Sequence, residues 1–144
     1  MSDQTGMPVL RKDRIIIDTN LWVSFLVTPQ YSKVDGLMEA DQIELIFSQE
    51  LLEEFVEVAR RPKFRKYFSL TDLDDLLTAV QKKAKLVSVF SVIDLCRDPK
   101  DNFLLALAKD SKSSHLLTSD KDLLELKSFG KTRIMTMADY LRER

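Results

Sequence analysis

Asp18 and Asp120 occupy matching places in this 144-residue chain: the first follows Ile15-Ile16-Ile17, the second Leu116-Leu117-Thr118-Ser119. Each is an acid placed where an apolar run stops. If both runs are strands of a parallel sheet, both carboxylates fall at its carboxyl edge, where open α/β sheets bind ligands. Two more acids can reach that edge. After Ser48, residues Leu51, Leu52, Phe55, Val58 and Ala59 recur as one helical stripe centred near Phe55. At roughly 100° per residue, Glu54 lies about 100° from that centre, while Glu50, Glu53 and Glu57 lie roughly 140° to 160° away. Glu54 is therefore the acid that borders the buried face. Phe103 to Ala108 is apolar nearly all round, and Asp101 shares a helical face with Leu104, Leu105 and Ala108. A carboxylate so placed needs a partner.

Four converging carboxylates repel one another. At an effective dielectric near 20, each pair about 4 Å apart costs on the order of 4 kcal/mol. A hard, oxygen-seeking cation such as Mg²⁺ or Mn²⁺ removes that penalty, because such ions accept one or two carboxylates together with water and a phosphate. Metal held this way suits phosphodiester hydrolysis, where it activates water, orients the phosphate and stabilises the leaving oxygen. No histidine is required. One histidine (His115) and one cysteine (Cys96) exclude the usual His/Cys zinc sites, a two-histidine acid/base pair and an internal disulfide.

Each acid also has a local alternative. Asp18 and Asp120 suit helix N-caps. Glu54 suits a boundary ion pair with Arg60 or Arg61. Asp98-Pro99-Lys100-Asp101 reads as a cap in which Asp98 is the N-cap, Pro99 the first helical residue and Asp101 an acceptor for backbone N–H groups, a role that fits Asp98 better than Asp101.

Positioning these residues requires strands and helices in alternation. The pattern predicts strands at Arg14–Ile17, Ile43–Phe47, Leu86–Phe90, His115–Thr118 and Arg133–Met135. Ile-Ile-Ile does not alternate with polar residues, so the first strand is expected to be covered on both faces. Helices are expected from Leu21 to Val27, interrupted at Thr28-Pro29 and resumed over Tyr31 to Ala40, and from Ser48 to Pro62. Others follow from Ser69 or Thr71 to Lys85, from Asp98 to Lys109, over Lys121 to Leu126, and over Ala138 to Arg142. The fold class is α/β: a three-layer α/β/α sandwich around a central, mainly parallel five-stranded sheet. Residues 1–13 are expected to be a loose segment and residues 14–144 one domain.

Composition agrees with one ordered unit, with 44% hydrophobic and 31% charged residues. There is no apolar run long enough for a membrane span and no secretory signal core, which makes the cytoplasm the expected location. The net charge of −1 does not advertise a nucleic-acid binder, but Arg60, Arg61, Lys63, Arg65 and Lys66 cluster with Phe64, Tyr67 and Phe68. The cluster reads either as solvated helix ends or as a phosphate-contacting patch through Arg60, Arg61, Lys63 and Arg65.

Ile-Ile-Ile-Asp18-Thr19-Asn20, Ser48-x-x-Leu51-Leu52-x-Glu54, Arg61-Pro62-Lys63-Phe64, Asp98-Pro99-x-Asp101-Asn102-x-Leu104 and Leu117-Thr118-Ser119-Asp120-x-Asp122-Leu123 resemble, in order and spacing, the motifs of a PIN (PilT N-terminal) domain. More narrowly they resemble the toxin branch of prokaryotic toxin–antitoxin pairs, over roughly Arg14 to Met137. The resemblance implies an α/β/α sandwich, metal-dependent ribonuclease activity and an acidic site of Asp18, Glu54, Asp101 and Asp120. Asn20 and Ser119 match positions that help hold the first acid or a bound water, with Asp98 and Thr118 beside them as supporting or substrate-contacting positions. It further implies an RNA substrate, a small antitoxin that inserts a segment into the site, and a homodimer. Thr118-Ser119 departs from the Thr-Arg or Thr-Gly common before the fourth acid. Among rivals, a binding module would keep the acids and act only by association. A receiver domain expects an acid pair at the first strand, and a DxD phosphatase an aspartate where Asn20 stands.

Overall fold

The computed structural model describes residues 12–28, 36 and 41–143. In chain order these form β1 (Asp13–Ile17), α1 (Thr19–Val27), β2 (Ile43–Phe47), α2 (Gln49–Ala59), a single 3-10 turn (Pro62–Phe64), α3 (Leu70–Lys83) and β3 (Ala84–Leu86). There follow α4 (Pro99–Ser111), β4 (His115–Leu117), α5 (Lys121–Leu126), β5 (Ser128–Phe129), β6 (Thr132–Met135) and α6 (Met137–Glu143). The expected helix resumption over Tyr31 to Ala40 lies outside the described residues, as does the N-terminal segment before Lys12. Strand β1 starts at Asp13, one residue inside the stretch expected to be loose.

One sheet runs through the molecule in the order β3-β2-β1-β4-β6-β5. All neighbours are parallel except β5 and β6, which form an antiparallel hairpin. The sheet is thus mainly parallel and flanked by helices, as expected, but among the described residues it has six strands instead of five. The extra strand, β5, is two residues long and pairs through a turn at Gly130, whose φ of +59° is a left-handed conformation that glycine adopts without a Cβ penalty. Two residues carry no periodic signal that a sequence pattern can reveal.

Strand β3 also departs from expectation. It ends at Leu86 instead of spanning Leu86–Phe90. The Val87 N–H still reaches the Phe47 carbonyl at 2.8 Å, but the Phe90 and Ser91 N–H groups donate to Asp110 Oδ2 at 2.7 and 2.8 Å. A side chain has taken the backbone donors that a ladder would have used. Val87 and Val89 still lean on the core while Phe90 is 80% exposed, so this stretch buries alternate residues without strand pairing.

The core explains why β1 is central. Ile15, Ile16 and Ile17 are at most 1% exposed, covered on both faces as their unbroken apolar run requires. Trp22 of α1 packs on Phe25, Phe47 and Phe55 with ring centroids 5.8, 5.8 and 5.9 Å away. This aromatic cluster fastens α1 and α2 beside the end of β1. Leu104, Leu105, Ala106, Leu107 and Ala108 are all buried, so α4 is an internal helix, as its all-round apolar sequence implies. Among the described residues no helix is long and apolar enough to cross a membrane.

The strand order reverses at β1, which has β2 on one side and β4 on the other. Crevices outside the carboxyl ends of strands at such a reversal are where open α/β sheets bind ligands.

Candidate active site

A cavity of ≈ 300 Å³ opens at that reversal. Asp18, Glu50, Glu54, Asp98, Asp101 and Asp120 line it, together with Thr19, Asn20 and Lys100. The four acids expected to converge therefore do share one cavity.

Register delivers the first pair. Ile17 lies opposite Leu117, so the chains leave β1 and β4 side by side, with the Asp18 N–H on the Leu117 carbonyl at 3.0 Å. Thr118, fully buried, couples the two acids: its hydroxyl donates to Asp18 Oδ2 at 2.9 Å and accepts the Asp120 N–H at 3.0 Å. Both acids also cap helices. Asp18 Oδ1 accepts the Asn20 N–H at 3.3 Å, and Asp120 Oδ1 accepts those of Asp122 and Leu123 at 2.8 and 3.3 Å. Capping and site formation are thus compatible, because capping occupies one carboxylate oxygen and leaves the group at the sheet edge. Burial, opposed by the Thr118 and Asn20 hydrogen bonds and reinforced by the charges of Asp120 and Glu54, raises the Asp18 pKa above its ordinary value.

Glu54 reaches the cavity from α2, whose start is fixed by Ser48 Oγ accepting the Leu51 N–H at 3.0 Å. The Thr19 hydroxyl donates to Glu54 Oε1 at 2.8 Å, and Lys100 Nζ stands 3.5 Å from Oε2. The alternative pairing with Arg60 or Arg61 is not formed; Arg61 lies 3.8 Å from Glu57 instead.

Asp101 comes from the first turn of α4. Asp98 is the N-cap, accepting the Lys100 N–H at 2.9 Å, with Pro99 directly after it. Asp101 is 3% exposed, and among the described residues no N–H or O–H group donates to its buried Oδ2, so the suggested local role as an acceptor for backbone N–H groups does not account for that oxygen. Burial first, then the charges of Asp120, Asp98 and Asp18, and last a hydrogen bond that the protonated group shares with the Asp120 carboxylate, push its pKa up to about 6. A buried carboxylate without a donor is costly unless it is protonated or meets a cation.

Oxygens of Asp101, Asp120 and Asp122 lie within 4.8 Å of one another, close enough to share one ion; of the four expected ligands, Asp18 and Glu54 line the cavity but are not in this closer group. An all-oxygen donor set with an orphaned buried carboxylate oxygen fits a hard divalent cation such as Mg²⁺ or Mn²⁺. Asp122 was not among the acids singled out from sequence. Its position two residues after an N-cap puts it in the same turn as Asp120, and Arg97 Nη2 donates to both of its oxygens at 3.2 and 3.0 Å. Thr19 and Lys100 were likewise missed: a threonine inside a motif looks ordinary until its partner is known, and a lysine in a helix's first turn is only weakly unusual.

The supporting residues divide. Thr118 orients Asp18 directly. Asn20 is exposed on the cavity wall and helps hold Asp18 through its backbone N–H, while Ser119 is exposed. In the basic cluster, Arg60, Arg61 and Lys63 are exposed, and Lys63 lies over the Phe64 ring at 5.1 Å. Arg65 is turned inward. It donates through Nη2 to the Ala59 carbonyl and stacks over Phe68 at 5.0 Å, while its buried Nε and Nη1 have no hydrogen-bond partner among the described residues. It completes the end of α2 and does not present its guanidinium to a phosphate.

The sequence model of the PIN domain matches residues 14–122. The chain belongs to the PIN domain family, whose members are generally metal-dependent nucleases. It is also similar to an uncharacterized protein of Methanocaldococcus jannaschii, 30% identical over 123 residues, covering 83% of this chain and 79% of the relative.

Proposed function

We infer that this protein is an Mg²⁺- or Mn²⁺-dependent endoribonuclease acting on single-stranded RNA. The observation that carries the reading is Asp101: a buried carboxylate with an unpartnered oxygen, facing Asp120 and Asp18 in a cavity walled by acids. Asp101 and Asp120, with Asp122 beside them, would hold the cation, and Asp18 and Glu54 would complete the acidic set. When bound, a divalent ion supplies the positive charge that a phosphodiester needs on approach and lowers the pKa of water.

The residues of the chain perform the positioning. Thr118 and the Asn20 N–H fix Asp18, and Thr19 fixes Glu54. Asp120 is held by two backbone N–H groups at the start of α5. These bonds set the carboxylates in place before any ligand arrives, which lowers the reorganisation required at the moment of reaction. The exposed side chains of Arg60, Arg61 and Lys63 offer sequence-independent contacts to an RNA backbone.

The same reading makes the protein the toxin of a toxin–antitoxin pair. It acts in the cytoplasm as a homodimer and is held inactive by a small antitoxin that reaches into the acidic cavity. The order of the sequence motifs supports this role. The test of the enzymatic reading is metal-dependent RNA cleavage by the wild type and by Asp18→Asn. The variant is expected to keep its fold by circular dichroism and lose cleavage. Cleavage at the wild-type rate by Asp18→Asn would sink the assignment, and a wild type that binds RNA without turnover identifies a binding module instead.

A further inference from the structure

Lys100 stands where helix energetics disfavour it. It is the second residue of α4, between Pro99 and Asp101, at the positive end of the helix dipole, where cations are unfavourable and acids favourable. Its neighbours Asp98 and Asp101 obey that rule and Lys100 breaks it. Functional sites are where such departures from local preference are expected, so Lys100 is a position to examine for a partner beyond its helix.

The cavity supplies that purpose. Among the described residues, Lys100 is the one basic side chain on a wall bearing six acids. Its ammonium lies 3.5 Å from Glu54 Oε2, while the other oxygen of Glu54 is taken by the Thr19 hydroxyl. Thr19 thus orients Glu54 so that Oε2 is the oxygen left for a cation, and Lys100 supplies one. The Lys100 side chain is nevertheless 70% exposed, on a flexible four-carbon stem, so it is free to leave. A phosphate approaching a wall of carboxylates is repelled by them, and a cation that can reach its outer side offsets part of that repulsion.

We propose that Lys100 is an exchangeable cation of this site: its ammonium neutralises Glu54 in the metal-free protein, and moves to a non-bridging oxygen of the RNA phosphate when Glu54 turns to a divalent ion. The inference rests on the ribonuclease reading of the cavity. It makes Lys100 a competitor of the metal and a partner of the substrate, two effects of opposite sign on one side chain.

The experiment compares wild type, Lys100→Met and Lys100→Arg in the full chain. Mn²⁺ affinity is measured by calorimetry, and binding of a short 2′-O-methyl RNA, which keeps both non-bridging oxygens, by fluorescence anisotropy in Mn²⁺ at several salt concentrations. Lys100→Met is expected to bind Mn²⁺ about two- to fivefold more tightly, the range of an exposed ion pair removed. It should bind RNA about tenfold more weakly, as for a lost charged hydrogen bond. Its salt slope should fall by about 0.7, the value for one phosphate contact on a single strand. Lys100→Arg should restore RNA affinity. A merely structural lysine moves neither affinity, so a Lys100→Met protein that differs from wild type in only one of the two, or in neither, overturns the inference. If wild type cleaves RNA, that result leaves the ribonuclease reading standing. A wild type that binds both probes but cleaves nothing overturns the ribonuclease reading, and the two affinities still decide the role of Lys100. A wild type that binds neither overturns both.

Discussion

Asp101 yields a prediction about stability that is independent of catalysis. Its pKa is raised from 3.8 to about 6 by burial and by neighbouring acids. Below about pH 4 the group is protonated in both folded and unfolded chains and contributes nothing to the difference between them. Between about 4 and 6 the unfolded chain releases this proton and the folded protein keeps it, so stability falls as pH rises and levels off above about 6. A shift of about two units corresponds to roughly 3 kcal/mol lost by about pH 7.5, at about 1.4 kcal/mol per unit. Asp101→Asn removes the titration while leaving an amide that can donate to the surrounding carboxylates. Urea denaturation of the metal-free proteins is expected to show the variant more stable than wild type by about 1–3 kcal/mol near pH 7.5, with the gap closing towards pH 4. Saturating Mn²⁺ should reverse the order, since binding to the folded wild type stabilises it by mass action. A variant less stable than wild type at pH 7.5 without metal, or a gap that does not change with pH, refutes the electrostatic account.

Two further substitutions probe how the site is held. Thr118→Val deletes the hydroxyl that donates to Asp18 and accepts from the Asp120 N–H; a loss of about 1–3 kcal/mol in denaturation is expected, with the acidic limb of the pH–rate profile moved to higher pH. An unmoved acidic limb argues that Thr118 does not tune Asp18. Arg65→Ala should cost about 1–3 kcal/mol of stability by leaving the carbonyl of buried Ala59 at the end of α2 without its donor, and leave RNA affinity unchanged, whereas Lys63→Ala should weaken RNA binding at little cost in stability. Denaturation and anisotropy measured on both variants check the contrast, and the reverse pattern contradicts it.

Much of the site was legible because its chemistry is tied to chain direction. Asp18 and Asp120 end apolar runs, and in a parallel sheet the end of a strand is a place; Asp101 and Glu54 could be found by angle on their helices. What escaped depends on partners distant in sequence. Nothing near Phe90 announces that Asp110, 20 residues on, takes its N–H and ends β3 early. Arg65 belongs by composition to a basic patch, and only the fold shows its guanidinium folded back onto Ala59 and Phe68. Lys100 left a faint trace as a lysine in a helix's first turn. Asp122 left none beyond its spacing from Asp120, because a second acid in a first turn is what helix electrostatics favour anyway.

Diffraction from crystals soaked in Mn²⁺, recorded at the manganese absorption edge, shows directly whether these carboxylates hold a divalent cation. An anomalous peak is expected in the cavity, with Asp101 and Asp120 among its ligands. Absence of any peak there at saturating Mn²⁺, or an ion bound only elsewhere, contradicts it.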